Sequence, residues 1–412
     1  MKHIHITGSK YEIEINPNEE RSLFYAAGLI ITTSIILLFG LTMLYSTSSY
    51  GIETAGNIVG ARLFYRQLFW AALGIGLGIF VFFTGYQRIA KLSIPLMLVS
   101  LILLLIAVIF MPDIKGAHRW IKFNIPGFSM SLQPSELAKI AIAIYLSKYC
   151  SENIRSLNDW SFKRGFIPGV MWCTLLIVTI VAGKDLGTAL LISATCAIIF
   201  FIAGLRISLF LLPTPILVGL WYYIKNYDLE RWSRLTSFLQ PELLQKSDGY
   251  QLWNSILALG SGNWFGIGFM ESRLKAKYLP EAHTDFILSI VGEELGLIST
   301  TMVIGAYLLF MFFALKISLN AKNRQGMLLG IAITVLIMLQ AFINIGVVTG
   351  SLPTKGMSAP LISYGGSNLL MCLAGVGLLV NIAIETAQPN FSKDLLKNIR
   401  QRASLIKQKL TG

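Results

Sequence analysis

Ten consecutive residues, Lys277-Tyr278-Leu279-Pro280-Glu281-Ala282-His283-Thr284-Asp285-Phe286, gather a lysine, two carboxylates and a histidine ahead of a long apolar run. Asp285 at the mouth of that run, with His283 two residues earlier, has the make-up of a general base that takes a proton from an attacking hydroxyl. The same pattern reads equally as a helix start capped by Thr284 or Asp285, and both can hold at once. Glu281 and His283 either contact substrate or orient the loop. Deeper in the run, Gly292-Glu293-Glu294-Leu295-Gly296 sets two acids between glycines, which reads as a packing contact or as a broken helix rather than as catalysis.

Two further stretches carry chemistry. Asn344-Ile345-Gly346-Val347-Val348-Thr349-Gly350-Ser351-Leu352-Pro353-Thr354-Lys355-Gly356, followed by Pro360-Leu361-Ile362-Ser363-Tyr364-Gly365-Gly366-Ser367-Asn368, looks re-entrant. Gly, Ser and Pro at membrane depth are tolerated where backbone is buried in protein or lines a wet cavity. Exposed amides beside Ser363, Gly365 and Gly366, with Lys355 as the local cation, suit an anion such as a diphosphate. A plain helix-breaking connector is the other reading. Earlier in the chain, Glu136 and Lys139 are three apart and share a helix face behind Gln133-Pro134-Ser135, with Pro134 in the first turn. Lys139 pairs either with Glu136 on its own helix or with Asp185 in the turn Gly183-Lys184-Asp185-Leu186-Gly187-Thr188, and the second pairing would fix how helices pack around a cavity.

The elements that position these groups are set by composition. Of the 412 residues, 54% are hydrophobic and 13% charged, too little polar surface for a soluble globule of that length. The apolar residues form blocks of about 17 to 30, long enough to cross a hydrocarbon core of about 30 Å as helices and unlike the alternation of a barrel. The expected fold is therefore an all-α polytopic membrane protein with about ten transmembrane helices, near 23–44, 68–86, 92–111, 133–149, 166–182, 186–204, 207–224, 284–315, 327–348 and 360–384. Arg88 and Lys91, then Lys148, Arg155, Lys163 and Arg164, then Arg206, then Lys316, Lys322 and Arg324 fill every second loop, which places those loops and both termini in the cytoplasm. Residues 1–22 form a cytoplasmic segment before an uncleaved signal anchor, 23–385 one transmembrane domain, and 386–412 a basic tail that can touch anionic lipid. The segment of about 225–283, between helices 7 and 8, faces outward together with the loops around 111–132, 183–185 and 349–359, so Asp185, Lys355 and the mouth of the helix that opens near Asp285 lie on that side. The net charge of +13 reports this topology, because no basic patch is interleaved with stacking aromatics and nucleic acid is not a partner. Cys150, Cys173, Cys196 and Cys372 read as small buried apolar residues. With no nucleotide-binding loop, the energy for any reaction comes from the substrate or from an ion gradient.

Taken together, Gly116-Ala117-His118-Arg119-Trp120, Gln133-Pro134-Ser135-Glu136-Leu137-Ala138-Lys139, Asp185-Leu186-Gly187-Thr188-Ala189, Tyr278 to Phe286 and Ser363-Tyr364-Gly365-Gly366-Ser367 resemble the SEDS family of shape, elongation, division and sporulation proteins. The resemblance covers nearly the whole chain. Leu352-Pro353-Thr354-Lys355-Gly356 is more similar to the division branch than to the elongation branch. The resemblance implies a peptidoglycan glycosyltransferase of the bacterial inner membrane, at the division septum, that polymerises lipid II into β-1,4-linked glycan strands and releases undecaprenyl diphosphate. It implies a class B penicillin-binding protein and other divisome membrane proteins as partners.

Inverting an α-linked diphosphate to a β-1,4 bond requires one in-line displacement, hence a base for the acceptor 4-hydroxyl and positive charge for the leaving group. Asp285 is the expected base. Lys355, Lys277 and Arg119 are the expected diphosphate ligands, and a divalent cation, Mg2+ or Mn2+, bridging Asp285 and the phosphates fits the same chemistry. A lipid II flippase would use the same lipid and cavity, but wants its titratable groups near the midplane. An elongation-type polymerase and a scaffold that recruits the penicillin-binding protein are the remaining alternatives.

Overall fold

The computed structural model describes residues 17–49, 59–112, 117–125, 128–162, 165–212, 214–227, 249–279, 281–389 and 391, with 232, 236, 238, 239 and 241–245 between them. Residues 1–16, most of 228–248, and the tail beyond 391 lie outside the described residues, as does Gly116.

The main helices are α1 (Pro17–Ser49), α2 (Val59–Thr84), α3 (Tyr86–Lys91), α4 (Ser93–Phe110), α5 (Pro134–Glu152), α6 (Phe166–Ala182), α7 (Leu186–Ile202), α8 (Thr214–Tyr227), α9 (Tyr250–Ser261), α10 (Leu274–Lys277), α11 (Ile287–Leu319), α12 (Arg324–Val348) and α13 (Gly366–Ala387). Among the described residues, six helices (α1, α2, α4, α11, α12 and α13) are long and apolar enough to cross a bilayer. The apolar helices α6 and α7 are shorter. In hydrocarbon a helix pairs its own backbone groups, which is why uninterrupted apolar runs take this form. Exposed Leu38, Phe80, Ile109 and Phe201 show apolar side chains covering the outside of the bundle, the reverse of a soluble surface.

Successive helices run in alternating directions, so a single end of the bundle collects the C-terminal ends of α1, α4, α6 and α12 and the N-terminal ends of α2, α5, α7, α11 and α13. Contacts fix this. Ser46 near the end of α1 meets Glu294 early in α11, Gln67 early in α2 meets Ser363 just before α13, and Ser135 opening α5 meets Asp185 opening α7. At the opposite end Arg324 donates to the Ala203 carbonyl at 3.0 Å, satisfying the C-terminus of α7. There too Asn381 spans the α2–α3 joint, donating to the Phe82 carbonyl and accepting from the Tyr86 amide.

Four features differ from the sequence expectation. A two-stranded antiparallel hairpin, β1 (Ile121–Ile125) and β2 (Phe128–Leu132), interrupts the otherwise helical chain before α5. Helix α1 begins at Pro17, before its apolar run, and α13 begins at Gly366, so 360–365 is loop. Helix α11 begins at Ile287 with Phe286 at its N-cap and no side-chain cap, so Asp285 lies just outside the helix. In line with the broken-helix reading of Gly292–Gly296, α11 is interrupted at Gly296, whose φ of 76° leaves the helical region. The interrupted ladder is repaired by the segment before α10. The Ile267 and Gly268 amides donate to the Glu293 and Glu294 carbonyls, and the Leu297 and Ile298 amides donate to Asn263 and Trp264. A side chain at Gly296 would strike the Trp264 and Gly266 backbone, so glycine is required there for space as well as for φ.

Candidate functional site

Three irregular segments meet at the collecting end of the bundle: the turn between α6 and α7, the segment 281–286 before α11, and the loop 349–365 between α12 and α13. The loop is folded inward. Its backbone at Leu361 and Ile362 packs against Gly40 of α1, where any Cβ would collide, and the buried Tyr307 hydroxyl donates to the Pro360 carbonyl. Gln67 clamps it from α2, donating to the Ser363 carbonyl at 3.2 Å and accepting from the Gly365 amide at 3.2 Å. From α12, Gln340 donates to the Ser358 carbonyl at 2.8 Å. Ser363 turns its own hydroxyl inward, accepting from the Ala359 amide, and Gly366 packs against the Trp70 indole. Ser363 and Gly366 thus shape the loop, while Gly365 and Tyr364 edge it.

Asp285 is half-buried beside this loop. A Cβ added at Gly356 would lie 2.8 Å from Asp285 Oδ2, so the glycine leaves the room in which the carboxylate sits. Lys355 is the next residue. Burial pulls its ammonium below the ordinary lysine range, while the Asp185 charge pulls the other way. The loop therefore carries a cation that feels the Asp185 charge, one residue before the glycine that seats Asp285. His283 is tied to the loop through its carbonyl, which accepts from the Tyr364 amide at 2.9 Å, with the two rings 6.0 Å apart. Glu281, at a φ of 59°, accepts from the Thr284 hydroxyl at 2.9 Å. Lys277 closes α10, and its side chain lies outside the described residues.

Asp185 is 5% exposed and caps α7 through the Thr188 amide. It accepts from Gln133 Nε2 at 3.0 Å and faces Arg119 Nη1 at 3.8 Å. Lys139 does not reach it. The Lys139 ammonium lies 2.7 Å from Glu136 Oε2, off the line of a hydrogen bond, and donates to Gln340 Oε1 at 2.8 Å. The cross-helix pair Lys139–Asp185 is thus replaced by the local pair on α5, because Gln133, Ser135 and Arg119 already occupy the Asp185 oxygens. Arg119, Asp185, His118 and Ser135 line a cleft closed on its far side by Leu104 and Val108 of α4.

Some buried polar atoms at this end of the bundle have no hydrogen-bond partner among the described residues. Among them are Arg119 Nε and Asn344 Oδ1, while Glu136 Oε2 is met only by the charge of Lys139. No three His, Cys, Asp or Glu side chains among the described residues converge on one point, so a divalent cation here would draw most of its ligands from elsewhere than these side chains.

The sequence pattern of the cell cycle protein family FtsW/RodA/SpoVE matches residues 26–388. The chain belongs to that family. It is 37% identical over 377 residues to a "Probable peptidoglycan glycosyltransferase FtsW" of Trichlorobacter lovleyi, covering 90% of this chain and 96% of the relative. It is 34% identical over 363 residues to stage V sporulation protein E of Bacillus subtilis, covering 86% and 96%. Among solved structures, one described as the structural coordination of polymerization and crosslinking by a peptidoglycan synthase complex aligns with a TM-score of 0.69 and 26% identity, over 88% of this chain and 98% of that one. The rod shape determining protein RodA of Thermus thermophilus aligns with a TM-score of 0.63 and 25% identity, over 88% and 97%. Family membership and the apolar helices together make this a multi-pass membrane protein.

Sequence reasoning missed Gln67, Gln340 and Asn344 as parts of the site. A signal existed for the last two: they are polar, four apart and therefore on one face of an otherwise apolar run.

Proposed function

We propose that this FtsW/RodA/SpoVE member is a peptidoglycan glycosyltransferase that polymerises lipid II during septal wall synthesis. In this reading Asp285 takes the proton from the acceptor 4-hydroxyl as its oxygen attacks C1 of the donor sugar. The C1–O bond to the diphosphate breaks, the configuration inverts, and undecaprenyl diphosphate leaves with the electron pair. Lys355 and Arg119 meet the charge that develops on the leaving group, and Asp185 holds those cations in place. The observation that carries the reading is the seating of the Asp285 carboxylate against Gly356, one residue from Lys355, within an inward-folded polar loop. Such a pairing puts base and leaving-group cation on either side of one reacting centre.

The alternation of basic loops supports about ten spans with both termini in the cytoplasm, which puts the site on the outer face where the sugar of a lipid substrate lies. Likeness to a solved peptidoglycan synthase complex supports a class B penicillin-binding protein as partner. Similarity to the FtsW relatives supports divisome membrane proteins as further partners and a septal location. A divalent cation, Mg2+ or Mn2+, would take Asp285 as its protein carboxylate and draw its remaining ligands from substrate phosphates and water, as such ions commonly do. It would supply further charge to the diphosphate.

Full-length protein with its penicillin-binding protein partner, given labelled lipid II, is expected to produce a ladder of glycan strands on a gel. Absence of strands, with transfer of the lipid between leaflets of vesicles, would establish the flippase reading instead.

A further inference from the structure

Asn344 lies one turn before the end of α12, 1% exposed, and none of the assigned chemistry uses its side chain. Its Nδ2 donates to the Asp285 carbonyl at 2.7 Å and to the Met357 carbonyl at 2.6 Å. The first acceptor belongs to the residue that bears the proposed base. The second lies two residues beyond Lys355, in the loop that brings the proposed leaving-group cation. One amide group therefore ties together two segments that are far apart in sequence and that approach the site from different helices.

The orientation of that amide is forced. Exchanging its oxygen and nitrogen would set lone pairs against two carbonyl oxygens, whereas the observed arrangement uses both N–H groups and leaves Oδ1 without a partner among the described residues. Carboxamides have two donors on one atom at a fixed angle, and no other short uncharged side chain can serve two carbonyls in this way. The helix that carries the amide is itself fixed at this level, since Gln340, one turn earlier, holds both Lys139 and the Ser358 carbonyl.

We infer that Asn344 is a positioning residue whose amide sets the separation between Asp285 and Lys355, acting on turnover through those two groups without touching substrate. The inference rests on Asp285 as the base. A base and a cation held apart by the wrong distance still bind lipid II through its prenyl chain and sugars, but no longer flank the reacting centre, so the loss falls on kcat rather than KM.

The test compares full-length wild type, Asn344→Asp, Asn344→Ser and Asp285→Asn, each with the partner protein, by initial rates of lipid II polymerisation across substrate concentration. Asn344→Asp keeps the shape and presents acceptors to two carbonyls, while Asn344→Ser adds no charge and keeps the test open should the acid not fold. The expected result is a fall in kcat of about tenfold or more in each folded Asn344 variant, with KM within about twofold of wild type. If a folded Asn344 variant keeps the wild-type kcat, or loses efficiency through KM alone, while Asp285→Asn is inactive, the positioning role is overturned and the base assignment stands. If Asp285→Asn itself turns over normally, the base assignment falls first and takes the inference with it.

Discussion

Glu294 and Asp185 are both carboxylates buried at the same end of the bundle, 0% and 5% exposed, and they are held in opposite ways. Glu294 accepts from Ser46 through both oxygens and pairs with Lys275 at 2.6 Å. Lys275 spends its other two N–H groups on the Met270 carbonyl and the Ser46 hydroxyl, so each of its three donors is used. Neighbouring Glu293 is equally occupied, by the Ser272 hydroxyl and the Arg273 amide. Asp185 also has its neutral donors, from Thr188, Gln133 and Ser135, but its cation Arg119 stands off at 3.8 Å, with a guanidinium side chain that is 30% exposed and an Nε left unmet. A closed set of partners builds a joint, here the seam between the broken α11, α1 and the segment before α10. A carboxylate whose cation is part-exposed and incompletely bonded leaves that cation able to meet a ligand.

The contrast predicts which substitutions break the fold and which break the chemistry. The largest effect on stability belongs to Glu294→Ala, which strands the Lys275 ammonium in a buried site. A loss of about 3–5 kcal/mol is expected, read as reduced yield and a lowered melting temperature in detergent. Next comes Gly356→Ala, which places a methyl group where the Asp285 carboxylate sits. Because a displacement of about 1 Å can cost about 10²-fold in rate, turnover should fall by that order while the melting temperature stays near wild type.

Lys355 gives a finer probe. Its ammonium must be charged to meet a diphosphate, and burial already lowers its pKa, so kcat/KM should fall on the alkaline side earlier than an ordinary lysine would allow. Asp185 opposes that lowering. Asp185→Asn removes the negative charge, lowers the lysine pKa further and should move the alkaline limb to lower pH. Lys355→Arg keeps the charge throughout and should move the limb to higher pH. A limb that stays put in both variants would detach Lys355 from the reaction.

Sequence and structure part company where distant segments compete for one group. The helices were legible because lipid leaves an apolar run few other ways to satisfy its backbone. The hairpin left a signal that was not read, since Ile121-Lys122-Phe123-Asn124-Ile125 and Phe128-Ser129-Met130-Ser131-Leu132 alternate apolar and polar residues around Pro126-Gly127, a period of two within the expected outward loop. Asp285 and Lys355 stood out in the sequence as charges at the edges of apolar runs and Arg119 through the family resemblance, and the fold sets Gly356 against Asp285 and Arg119 against Asp185. The partner of Lys139 was not legible. Glu136 on its own helix and Asp185 across the bundle are both reasonable on spacing, and only the packing of Gln133 and Arg119 against Asp185 decides between them. The break at Gly296 was hinted at by its glycines, but the segment around 263–268 that repairs it has no local signature in α11.

The central claim is that the Asp285 carboxylate takes the proton in glycosyl transfer. Its most direct measurement is the rate of strand formation from lipid II by Asp285→Ala and Asp285→Asn, on protein that melts and binds its partner as wild type does. The account predicts a fall of at least about 10²-fold in both, the usual contribution of a general base. Strand formation within a few-fold of wild type in either folded variant would contradict it.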